Sequence, residues 1–344
     1  EVTNLAKAFT KYGVAVSDTV GMAADAAAMG KQGADLLAQV ESASRLSVLG
    51  GVDQKQALET TISLTNAFGI AADQLTGKIN FLNAVENQTV TSIEDLTIAV
   101  PKAAPVIKQL GGNVEDLAFF LTAMKEGGIN ASEGANALKS GIASIINPTK
   151  KASDMLSGFG INIKGIVTSN KGDVKGMIMG VAEALNGLDP LKRAQAIEQL
   201  FGKFQFARIS TLFKNITDVN SQASKVAALA AQGPEASAIL AQRELKKIED
   251  SPMFKFKKAL EDLKVELIPL GEQFLKAVTP IAKFFTDILK NFNGMSSGTK
   301  DFVGGIAMVL GGIGPVVLMV VGLIANGIAN MIKLFAGLDR KSVV

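Results

Sequence analysis

The chain has 344 residues, 48% of them apolar but only 6% aromatic, and a formal net charge of +3. It contains no Cys and no His, which excludes disulfides, thiolate metal sites and thiol nucleophiles, along with the commonest metal ligand and general base. So small a charge, with no Lys/Arg block interleaved with aromatics, gives no footprint for nucleic acid, and the length predicts two or three modules.

No secretory signal opens the chain, since Glu1 to Gly21 carries Lys7, Lys11 and Asp18 without an apolar core. The first residue is not Met, so the sequence reads as a fragment of something longer. Helix stop-and-start signals then recur: Gly50-Gly51-Val52-Asp53, Gly69-Ile70-Ala71-Ala72-Asp73, Gly111-Gly112-Asn113 and Gly127-Gly128-Ile129-Asn130 each follow an apolar-periodic stretch. A Gly past a helix permits the left-handed closing residue, and a polar residue then caps the next helix. Capping boxes are expected at Thr91/Glu94, Asn113/Asp116 and Asn130/Glu133. Leu117, Phe120, Leu121 and Met124 form one apolar helix face, and Leu138, Ile142, Ile145 and Ile146 another. With no alternating strand pattern in competition, residues 1–215 read as an all-α domain of short capped helices.

Residues 216–252 thin to Ala, Gln and Ser with a break at Gly233-Pro234, predicting an Ala-rich helical connector or a flexible joint. In 253–295, Phe256, Leu260, Leu263, Leu267, Leu270, Phe274, Ala277, Ile281, Phe284 and Ile288 recur at four- and three-residue steps. That is the seam of a coiled coil, and it predicts self-association. Pro269 and Pro280 disturb it, so a kinked amphipathic helix packed on the chain's own body is the alternative.

From Phe302 to Ile332 there is no charged side chain, so 296–344 reads as a hydrophobic hairpin or a transmembrane segment. Gly311-Gly312-Ile313-Gly314-Pro315 breaks the tract. The arm from Phe302 through Val309 to Leu310 rises only about 13 Å and cannot cross alone. The arm bearing Pro315, Val316, Val317, Leu318, Val320, Val321, Leu323, Ile324, Ile328 and Ile332 reaches about 27 Å, near a bilayer's apolar thickness. A buried apolar hairpin in a soluble assembly is the other possibility. Lys290 and Lys300 before the tract balance Lys333, Arg340 and Lys341 after it, so charge assigns no orientation.

No catalytic constellation emerges. The acidic doublets Glu94-Asp95, Glu115-Asp116, Glu249-Asp250 and Glu261-Asp262 point about 100° apart on a helix and cannot flank a scissile bond. Gly158-Phe159-Gly160 lacks the third Gly of a dinucleotide loop, and Gly202-Lys203 is followed by Phe204 rather than the Ser or Thr of a phosphate loop. No enzyme activity, metal, cofactor or small-molecule substrate is expected.

The order of motifs is more telling. It runs from Asn66-Ala67-Phe68-Gly69 to Asn87 and Thr91-Ser92-Ile93-Glu94-Asp95-Leu96. Gly128-Ile129-Asn130-Ala131-Ser132-Glu133-Gly134-Ala135-Asn136-Ala137-Leu138-Lys139 follows, then Asn147-Pro148, Leu156 with Gly160-Ile161, and Leu200-Phe201-Gly202. In this order and spacing, over residues 4–215, the chain resembles the tail tape measure proteins of long-tailed bacteriophages, the siphophage and prophage group that shares a core region. The resemblance implies a virion protein in the lumen of the phage tail that sets tail length during assembly. It implies contacts with tail tube, distal tail and tail hub proteins, and prior binding by tail assembly chaperones. It further implies ejection ahead of the DNA into the host cytoplasmic membrane, where hydrophobic segments help form a channel. Self-association would give a homo-oligomer, with trimer or hexamer as the expected copy number. Some relatives carry a cell-wall hydrolase, but no residues here match one. Two alternatives stand: a helical pore-forming toxin or effector with a hydrophobic hairpin, and a membrane-anchored helical scaffold.

Overall fold

Helix follows helix from Val16 to Asp250 in the computed structural model, which describes residues 12–259, 261 and 262. The chain divides into two units, Glu1–Ile268 and Pro269–Val344, and the described residues all lie in the first. In order they form α1 (Val16–Ala28), α2 (Gly33–Gly50), α3 (Gln54–Phe68), a 3-10 turn (Ala72–Gln74), α4 (Leu75–Gln88), α5 (Ile93–Gln109) and α6 (Val114–Glu126). Next come α7 (Ala131–Ile146), α8 (Lys150–Gly158), α9 (Ile163–Ser169), α10 (Val174–Asn186), α11 (Pro190–Phe201), α12 (Phe206–Thr217) and α13 (Gln222–Asp250). Residues 252–259 are again helical, and no strand occurs among the described residues.

The predicted glycine stops are where the chain turns. Gly51, Gly69, Gly111 and Gly128 all have positive φ. At the end of α5 the amide of Gly112 donates to Ile107 O at 2.9 Å and that of Gly111 to Lys108 O at 3.0 Å, the paired bonds of a Schellman closure. Gly111 meets a second demand: a Cβ there would land on the carbonyl oxygen of Gly172, so the α5–α6 turn sits directly on the α9–α10 turn.

The caps largely follow expectation, with one shift of register and one box that forms only by half. Asn113 and Asp116 form a reciprocal capping box. Asn130 accepts from the Glu133 amide at 2.9 Å, while the Glu133 carboxylate turns to Arg208 at 3.4 Å. The box expected at Thr91/Glu94 instead lies one residue later, at Ser92/Asp95. Thr91 is only 1% exposed, and its hydroxyl donates to Thr122 Oγ1 at 2.9 Å. Ser92 faces solvent enough to cap, whereas Thr91 is consumed by the core.

Two prolines, Pro101 and Pro105, lie inside α5, four residues apart on its solvent face. Missing N–H groups are cheapest there, because the carbonyls they orphan can turn to water. The opposite face buries Leu96, Val100, Ala103, Ala104 and Ile107.

Helix α3 packs between α2 and α5, α5 packs on α7, and α6 meets both α12 and α13. Leu46, Leu58, Leu64, Phe120 and Phe213 are fully buried. Phe119–Phe120 and Phe201–Phe213 stack edge to face at 5.5 and 5.6 Å, the arrangement aromatic quadrupoles favour. Leu117, Phe120, Leu121, Met124, Leu138, Ile142 and Ile145 are buried as the spacing predicts, but Ile146 is exposed. It is the last residue of α7, beyond the reach of the packed stripe.

Helix α13 packs on both α4 and α6. It is two arms rather than one rod: Gly233, at φ 82 and ψ 178, leaves the helical path just before Pro234. Only Gly adopts that backbone readily, and Pro restarts a helix without needing the amide it lacks. Ala223, Val226 and Leu229 of the first arm and Ser237, Ala241 and Leu245 of the second are buried.

Candidate functional site

The acidic doublets serve the helices. Asp95 accepts from the Ser92 amide at 3.1 Å and the Lys125 ammonium at 2.9 Å. Burial alone would raise its pKa, but the hydrogen bonds from Lys125 and Ser92 outweigh it and hold the carboxyl below its ordinary value. Burial raises Asp116, partly offset by its bond from the Asn113 amide. Burial likewise raises Glu86, which accepts from the Ile93 amide at 3.0 Å and has Glu244 of α13 as a like-charged neighbour. Among the described residues no group of three or more carboxylates could hold a metal ion.

A concavity of about 410 Å³ lies where the start of α4, the start of α6 and the break in α13 meet. Gly77, Phe81, Leu229 and Ala230 give it apolar walls, and Asp73, Gln74, Lys78, Glu115 and Ser237 give it polar ones. Lys78 Nζ and Glu115 Oε1 are 2.7 Å apart. The other carboxylate oxygen, Glu115 Oε2, is buried without a partner, and so is Ser237 Oγ. A helical serine often returns its hydroxyl to the carbonyl four residues back. Here that residue is Gly233, whose backbone has left the helix. The break in α13 therefore explains the unsatisfied hydroxyl.

A second junction ties α12 and α13 to the end of α6. Asn215 Nδ2 donates to Ala123 O at 2.7 Å across buried space. The Gln222 amide, first of α13, donates to Glu126 Oε2 at 2.9 Å. Each bond satisfies a group that a helix end would otherwise leave open. Large apolar side chains stand exposed nearby in sequence: Leu191 at 69%, Val219 at 83% and Phe204, between α11 and α12, at 92%.

The residues predicted to carry function fall mostly elsewhere. Phe256 is half-buried in the 252–259 helix. The remaining seam positions, Leu260 to Ile288, lie outside the described residues, as does the whole uncharged tract from Phe302 to Ile332. Among the described residues no helix is long and apolar enough to cross a membrane. The cavity was not legible as a site, because its groups come from three separated segments. Gly233-Pro234 was its one visible signal.

Residues 3–202 match the family described as phage-related minor tail protein. The chain belongs to that family. The match runs through α11 and ends at Gly202, which closes it. It is a family of structural tail components, not an enzyme family, which makes this minor tail protein a part of the phage particle. The chain is also 23% identical over 158 residues to a tape measure protein of Pneumococcus phage Dp-1, covering 46% of this chain and 14% of that protein. No solved structure matches.

Proposed function

We propose that this minor tail protein is part of a tape measure protein, which sets tail length inside the tail tube during assembly. The observation that carries the reading is the family match over helices α1–α11, joined to likeness with a named tape measure protein. In this reading residues 253–295 self-associate through the seam of Phe256, Leu260, Leu263, Leu267, Leu270, Phe274, Ile281, Phe284 and Ile288. Several copies then share one register, because a heptad seam fixes the axial offset between helices. The partners are tube, distal tail and hub proteins, with assembly chaperones before incorporation. On infection the protein leaves ahead of the DNA, and the uncharged 302–332 tract enters the host cytoplasmic membrane and helps form a channel.

The test is in-frame deletion in the helical segments that follow the body in the intact protein, read as tail length by electron microscopy. Removing 30 residues of continuous helix shortens the tail by about 45 Å. An unchanged length refutes the ruler. The uncharged tract also favours a second reading, a pore former that needs no tail. Purified chain that permeabilises liposomes unaided, in a phage whose tails are indifferent to its deletion, would establish that reading instead.

A further inference from the structure

The geometry points to a binding site for a basic side chain of a partner protein in the cavity beneath the break in α13. Two buried atoms there lack hydrogen-bond partners, Glu115 Oε2 and Ser237 Oγ. Ser237 is 1% exposed and lines the cavity. A carboxylate oxygen can only accept, so it calls for an N–H or O–H donor, and a serine hydroxyl can accept from the same donor group. Leaving such groups unmade is costly, which gives a donor-bearing occupant its advantage.

The charges select the kind of donor. The lining holds two carboxylates, Asp73 and Glu115, and one cation, Lys78. Lys78 is already committed to Glu115 Oε1 at 2.7 Å. An incoming anion would face both carboxylates, whereas a cation is drawn to the buried, unpartnered oxygen of Glu115 and to the carboxylate of Asp73. The walls select the rest of the ligand. Phe81, Leu229, Ala230 and the bare backbone of Gly77 suit an aliphatic stem. A lysine or arginine side chain has that form, an apolar stem ending in a cationic donor. The site owes its existence to Gly233 and Pro234: a continuous helix would return the Ser237 hydroxyl to its own backbone.

The test titrates blocked lysine (N-acetyl-lysine N-methylamide) into the 344-residue chain labelled at Leu and Ala methyls, following the resonances of Leu229 and Ala230. Blocked norleucine, which has the stem without the charge, and putrescine, a free diamine, are titrated alongside. Saturable shifts with blocked lysine and none with norleucine are expected. E115Q should weaken the binding about tenfold or more, and S237A severalfold, since hydrogen bonds to a charged group are the stronger kind. S237A should not lower the thermal midpoint, because it removes a hydroxyl that has no partner, so lost binding in that variant is not lost folding. Equal shifts from norleucine, or none from any probe, would overturn the site. Shifts from putrescine without any from blocked lysine would overturn its assignment to a protein side chain.

Discussion

Replacing Gly111 by Ala separates the two demands this fold makes on a glycine. Gly111 closes α5 at φ +85, and Gly128 closes α6 at φ +80, so both substitutions place an L side chain in left-handed backbone. That conformational cost is about 1–2 kcal/mol for either residue. Around Gly128 a Cβ would meet nothing within 4 Å, so the cost ends there. At Gly111 the Cβ would strike the carbonyl oxygen, carbonyl carbon and Cα of Gly172. A backbone obstacle cannot step aside by changing rotamer, and an overpacking penalty of about 1–3 kcal/mol adds to the first. G111A should therefore cost about 2–5 kcal/mol against about 1–2 for G128A. Urea denaturation of the full chain, fitted with a common slope, reads the difference as a separation of midpoints. Faster amide exchange at residues 170–174 in G111A alone would place the strain at the α9–α10 turn. Equal midpoints for the two variants would refute the claim that the turns bear on each other.

Further predictions test the polar joints. N215A leaves the buried carbonyl of Ala123 without its donor and should cost about 1–3 kcal/mol in the same assay. S92A removes the cap of α5 and should cost about 1 kcal/mol, whereas E94Q removes only a first-turn charge and should cost less, about 0.3–0.5 kcal/mol. D95N should destabilise at neutral pH. The Asp95 carboxyl is held below its ordinary value, so its contribution is present above about pH 4 and vanishes as pH falls further; the deficit of D95N shrinks accordingly. E86Q has the opposite sign: burial raises Glu86, so the wild-type residue favours folding most when protonated and loses that benefit as pH rises through its elevated pKa. E86Q should stabilise at neutral pH and match wild type below about pH 4, as measured by thermal midpoints across pH.

What could be read in advance followed from local chemistry. Helix stops at Gly51, Gly69, Gly111 and Gly128 depend on backbone conformation alone, and the buried face of α6 depends only on a 3.6-residue period. The capping register at α5 did not, because Thr91 and Ser92 are chemically equivalent caps. What separates them is that Thr122, 31 residues away, claims the first. Pro101 and Pro105 are similar. In a linear reading two prolines speak against a 17-residue helix, and only knowing that they share the solvent face removes the objection. The cavity was least accessible of all, since Lys78, Glu115 and Ser237 carry no motif and meet only when α4, α6 and α13 assemble.

The way these helices are joined also says where a ruler cannot lie. A length standard needs residues that add rise along one axis, about 1.5 Å each in a continuous helix. Between α2 and α7 the chain instead stops at a positive-φ glycine after α2, α3, α5 and α6, and the following helix packs back on a neighbour. The longest helix among the described residues, the 29-residue α13, is itself broken at Gly233. Deleting one of these helices would remove part of a shared core, Leu46 or Phe120 for instance, rather than a fixed increment of length. Within the proposed function, the body is the part whose fold must survive for assembly, and graded control of length must come from other segments of the intact protein. Tail length should scale with deletions in those segments, while loss of α3 or α6 should give no tails rather than shorter ones. Viable tails shortened in proportion to a deleted body helix would show that the body is itself extended in the particle.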